Sequence, residues 1–127
     1  DTALAFTPDP DSQYIVEGML FLQSAATTTG VRPGIKWPTA GVTQNIAWMA
    51  SGTSATAFTS GLCGNLSTAN AASTGVPVAN EGIFGKIEAS FVTGGAPAGN
   101  FIITLASEIA ASEARIMANS WLRYRKI

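Results

Sequence analysis

Two stretches in the last third of the chain carry the clearest alternation of apolar and polar residues. In Ile83–Thr93 (IFGKIEASFVT), Ile83, Ile87, Ala89 and Phe91 fall on one face, with Lys86, Glu88 and Ser90 on the other. In Asn100–Ser107 (NFIITLAS), Phe101, Ile103 and Leu105 share a face. Successive strand side chains point to opposite sides of a sheet, so both runs read as half-buried strands. Between them lies Gly94-Gly95-Ala96-Pro97-Ala98-Gly99. Its glycines and proline supply turn angles, and the pattern predicts that the two runs form a hairpin at the core.

Earlier in the chain, Thr2–Thr7 reads as a short strand with Leu4 and Phe6 on one face, ended by Pro8-Asp9-Pro10-Asp11. Tyr14–Gln23 (YIVEGMLFLQ) is a stronger one. Tyr14, Val16, Leu20 and Leu22 lie on one face and Ile15, Met19 and Phe21 on the other, interrupted by Glu17. Apolar residues on both faces point to a central strand with something packed over each side. A loop is expected over Ser24–Gly30 and a short strand over Gly34–Trp37, ended by Pro38. Thr43–Met49 follows as a strand, with Ile46 and Trp48 on one face and Ala47 and Met49 on the other; Thr56–Leu62 is a further candidate. Asn, Ser, Thr, Ala and Gly dominate Gly64–Glu81, which reads as a long loop or irregular edge. Ser107–Leu122 is ambiguous, because Ile109, Glu113, Ile116 and Met117 could share a helical face. Alternation over Arg115–Ala118, the turn-like Asn119-Ser120 and the strand formers of Trp121–Ile127 favour strand, turn and strand.

These elements add up to one all-β domain of 127 residues, an antiparallel β-sandwich of jelly-roll type with roughly seven to nine strands. Phe21, Leu20 or Leu22, Ile87, Phe91, Ile103 and Leu105 are the expected core. Composition then narrows the chemistry. The 127 residues include no histidine, which removes the commonest general base and metal ligand. A net charge of −1 offers no basic field for nucleic acid. No apolar run is long enough for a bilayer helix. Cys63 is alone and reads as an inert buried thiol. The chain opens at Asp1 without methionine, as a processed protein or a fragment would.

Each candidate reactive group has a plainer reading beside it. Asp9, Asp11 and Glu17 match no calcium loop and read as turn formers and surface charge. Glu88, Glu108 and Glu113 could supply a carboxylate pair for glycoside hydrolysis, but nothing fixes their separation. Ser24, Ser107 and Ser120 lack a histidine partner and a nucleophile elbow. Gly94–Gly99 lacks the Lys-[Ser/Thr] ending of a phosphate loop. No catalytic residue, metal ligand or cofactor site is therefore assigned. Trp37 and Trp48 read as core, with sugar stacking as the alternative. Arg123, Arg125 and Lys126 form the only basic cluster, interleaved with Trp121 and Tyr124. They read as a docking edge, or as a final strand with Leu122 and Tyr124 inward and basic residues outward.

Four pieces recur here in order: Tyr14–Phe21 before Ser24–Gly30, then Ile87–Phe91 with Thr93 before a Gly-rich turn, then Leu105–Ile109, then Ala118–Ile127. Together they resemble a β-sandwich domain of tailed-bacteriophage structural proteins, found in tail-fibre-like and head- or neck-decorating subunits. The resemblance covers nearly the whole chain, with Val31–Glu81 matching only in general character. Asn119 stands where the family commonly has glycine, and asparagine tolerates the left-handed region better than most residues. The resemblance implies a non-enzymatic virion protein that self-associates, and a chain in which Asp1 lies inside a longer polypeptide. Scarce charge and doubly apolar strands favour burial between copies, as a homotrimer with Phe21, Trp121, Arg123, Tyr124 and Arg125 at the contact. Other virion proteins are the remaining expected partners. The competing reading is a carbohydrate-binding module that attaches to a host-surface glycan.

Overall fold

The computed structural model describes residues 4–53, 57–63 and 75–127, without the side chains of Leu62 and Cys63. The expected thiol environment of Cys63, the start of the Thr2–Thr7 strand and most of the Gly64–Glu81 loop lie outside the described residues. Among the described residues the protein is all-β, an antiparallel sandwich of a three-stranded and a six-stranded sheet. Its strands are β1 (Ala5–Phe6), β2 (Gln13–Ser24), β3 (Val31–Lys36), β4 (Ala40–Gly52), β5 (Phe58–Cys63), β6 (Ile83–Ala98), β7 (Phe101–Ser107), β8 (Ala114–Ile116) and β9 (Trp121–Lys126). The smaller sheet runs β1-β7-β3. The larger runs β5-β4-β6-β2, and β8 and β9 follow one another along the far edge of β2.

The expected hairpin between Ile83–Thr93 and Asn100–Ser107 does not form. β6 sits in the larger sheet between β4 and β2, whereas β7 belongs to the smaller sheet. The two apolar faces meet across the sandwich instead of lying side by side: the Phe91 and Phe101 rings stack at 5.5 Å with planes 9° apart. Period-two alternation states which side chains are buried; it does not state whether the next run pairs at the edge or packs opposite. Most of the Gly-rich run is also strand, since Ala40 pairs with Ala98 after two register shifts between β4 and β6. Gly41 lets that bulged segment pack, with φ +77° and a position where a Cβ would lie 2.6 Å from Pro97 Cα. The change of sheet falls at Gly99, φ +82°.

Between the sheets lies one core. Tyr14, Val16, Leu20 and Leu22 of β2, Ala47 and Met49 of β4, and Ile83, Ile87, Ala89 and Phe91 of β6 face Val31, Ile35, Phe101 and Ile103 of the smaller sheet. Trp37 is buried edge-on to both Phe91 and Phe101, at 5.7 and 5.4 Å. Leu105 is only partly buried. Phe21 is not core, because it has the opposite parity to Leu20 and Leu22 and faces away from the smaller sheet. Pro33 is tolerated inside β3 because, among the described residues, β3 pairs with β7 alone.

The ambiguous Ser107–Leu122 segment resolves as turn, strand, turn and strand. Asn119 adopts φ +72°, the left-handed geometry asparagine tolerates, between β8 and β9. Ser120 bridges the break: its Oγ accepts the Phe21 N–H at 2.9 Å and donates to the Met117 carbonyl at 2.9 Å.

Candidate interface on the open face of the larger sheet

Strand register places the outward residues of the larger sheet in levels. Phe84 lies opposite Phe21, Phe58 opposite Gly52, and Gly52 rests against the Phe84 backbone. Three phenylalanines thus occupy one level, interrupted only by a glycine. The next level holds Ala50, Lys86, Met19 and Trp121, and the one after it Trp48, Glu88, Glu17 and Arg123. Ile46, Ser90, Ile15 and Arg125 make a fourth. Phe58 (67%), Ile46 (57%), Phe84 (47%), Phe21 (40%) and Trp121 (40%) are all substantially exposed. At about 200 Å² per ring, the four aromatics present on the order of 400 Å² of apolar surface.

The charged level has a conflict that its neighbours relieve. Glu17 and Glu88 are directly opposed across β2 and β6, and like charges in that position repel. Lys86 Nζ lies 2.6 Å from Glu88 Oε1 and 5.9 Å from the centre of the Trp48 ring. On the other side Arg123 pairs with Glu17 and sits 5.7 Å from the Trp121 ring. The Arg123 hydrogen bond and charge hold the Glu17 carboxyl below its ordinary range, with weaker help from Lys86 and Arg125. Arg125 makes no ion pair among the described residues.

Of the five residues assigned to a docking surface, Phe21, Trp121, Arg123 and Arg125 share this face. Tyr124 does not. It has inward parity beside Val16 and stacks on Phe6, with ring centres 3.8 Å and planes 10° apart. Its half-exposed ring closes the end of the aromatic core. Lys126 has the same parity, and its Nζ reaches Asp9 Oδ2 at 3.1 Å. Asp9 also accepts from the Tyr14 hydroxyl, and these partners, Lys126 foremost, lower its pKa.

The remaining candidates are dispersed. Asp11 is a turn residue with φ +45°, whose N–H donates to the Gly94 carbonyl. Glu108 accepts the Gly30 N–H, and Glu113 forms two hydrogen bonds with Arg115 at 2.7 and 2.8 Å. Ser24 is buried and Ser107 Oγ is buried on β7. Among the described residues no three acidic, cysteine or histidine side chains converge. Trp37 is core, so it provides no sugar platform; Trp48 lies on the open face, so the expectation that it is core fails. Sequence reasoning missed Phe84 and Phe58. The signal for Phe84 was its parity with Lys86 and Glu88, whereas Phe58 needed the β4–β5 register. No family model matches the chain, no curated protein matches it, and no solved structure does.

Proposed function

We propose that this chain is a non-enzymatic structural component of a bacteriophage particle that acts by self-association, as a homotrimer, within the capsid decoration, tail or fibre. The observation that carries the reading is the open face of the six-stranded sheet, with Phe21, Phe58, Phe84, Trp121 and Ile46 exposed together. At about 25 cal/mol per Å², covering its roughly 400 Å² of aromatic surface is worth about 10 kcal/mol. Association itself costs about 4–15 kcal/mol, so the aromatic patch alone roughly breaks even and the ion-paired levels must join the contact. The resemblance of the strand motifs to phage sandwich domains supplies the setting. A glycan-binding role has less support. Trp37 is buried and cannot pair with Trp48, and the Lys86 ammonium already occupies one approach to the Trp48 ring. Sedimentation on dilution to low micromolar should give a trimer. A monomer at millimolar concentration would overturn the reading.

A further inference from the structure

We infer that neighbouring copies meet with β9 of one against β4 and β5 of the next, about a symmetry axis running along the strands. This rests on the self-association reading and specifies its contact.

The open face is chemically lopsided. Its β9 side carries Trp121, Arg123 and Arg125, and Arg125 has no ion pair among the described residues. Its other side presents Ile46, Trp48 and Phe58 without a charge. An axis across the strands at the level of Tyr124 would lay β9 over its own copy and set Arg123 against Arg125. Such like-charge juxtaposition opposes association. An axis along the strands avoids this. Rotation about it keeps every residue at its level, so Arg123 arrives at the level of the neighbour's Trp48, and Arg125 at that of the neighbour's Ile46. Lys86 occupies one side of the Trp48 ring and pairs with Glu88, so Arg123 meets the other side, where a guanidinium over an indole face is a favourable pairing. The dimensions also suffice. Five strand positions at about 4.8 Å and ten paired residues at about 3.4 Å give a face of on the order of 800 Å². In a two-fold pairing that is about the area each partner contributes to a standard stable interface, and in a three-fold ring it is divided between two neighbours.

Both a two-fold dimer and a three-fold ring satisfy this arrangement, so the test addresses the contact. In a Cys63→Ser background, chains carrying Arg125→Cys are mixed with chains carrying Ile46→Cys, both exposed positions, and treated with a short bismaleimide. The Cys63→Ser chain, which has no thiol, is the blank. The mixture should cross-link at least severalfold more than either variant alone. Cross-linking of Arg125→Cys with itself, or an assembly seen by sedimentation with no mixed product, would overturn the inference while leaving self-association intact. A monomer in sedimentation would overturn both.

Discussion

The two faces of β2 are made from alternate residues of one strand, yet they live under different rules. Inward, Tyr14, Val16, Leu20 and Leu22 are almost wholly buried and carry no charge. Outward, Ile15, Met19 and Phe21 are as apolar, but Glu17 sits among them and Phe21 is 40% exposed. The inner face is complete within one chain because the smaller sheet covers it. The outer face is balanced only locally, by Lys86 and Arg123 around two opposed glutamates. Hydrophobicity alone therefore does not distinguish a core face from an open one. The embedded ion pairs do, because a fully buried core excludes charge while a face left open to solvent tolerates it.

The sharpest break of that comparison is Phe91→Ala. Phe91 is buried amid stacked rings, so its truncation should cost about 3–5 kcal/mol of stability by denaturant unfolding. A loss under about 1 kcal/mol would remove Phe91 from the core. Next comes Gly41→Ala, where a positive φ and the Pro97 backbone leave no room for a methyl group. It should cost about 1–3 kcal/mol, and an unchanged midpoint would show that the β4–β6 bulge relaxes freely.

On the open face, Phe21→Ala should change the stability of the dissociated chain by less than about 1 kcal/mol. Its effect should surface in assembly. The wild-type unfolding midpoint should rise with protein concentration, and the variant should flatten that rise. Equal concentration dependence in both would separate Phe21 from the contact.

The smallest effect is acidic. Asp9 and Glu17 both have carboxyls held below their ordinary range by Lys126 and Arg123. A carboxyl with a lower pKa folded than unfolded stabilises the fold fully above about pH 4 and loses that contribution as pH falls through the folded value. Both pairs are exposed and tie β9 to the body of the protein. Amide exchange should therefore show Trp121–Lys126 losing protection below about pH 4, ahead of β6. Glu17→Gln should weaken that pH dependence. Loss of protection in step with β6 would count against the ion pairs as β9's fastening.

What the sequence made legible was side-chain parity. The faces of Tyr14–Gln23, Ile83–Thr93 and Thr43–Met49 all come out as alternation gives them, and Leu122 has inward parity beside outward Arg123 and Arg125. Partnership was not legible. Ile83–Thr93 and Asn100–Ser107 looked like hairpin arms because a Gly-rich run joined them, but the same residues serve a bulged strand that changes sheets. The expectation of a core Phe21 fails for a different reason: it shares the parity of Glu17, and that parity places it outside. Phe58 could be read only through its register with Gly52, a long-range fact.

The stack of Phe6 on Tyr124 has a consequence in time. Phe6 also stacks on Phe101 at 5.3 Å, and Tyr14 on Phe91 at 5.2 Å, so the aromatic column joins the first described strand to the last through both sheets. No local segment can assemble that column early. Chains dominated by such distant pairings fold in milliseconds to seconds, not microseconds. During synthesis the Tyr14–Met19 part of the far edge of β2 waits for Trp121–Lys126 to emerge. The nascent chain therefore passes through an interval in which this long strand, apolar on both faces, offers an unpaired edge, and Trp121–Lys126 ends that exposure.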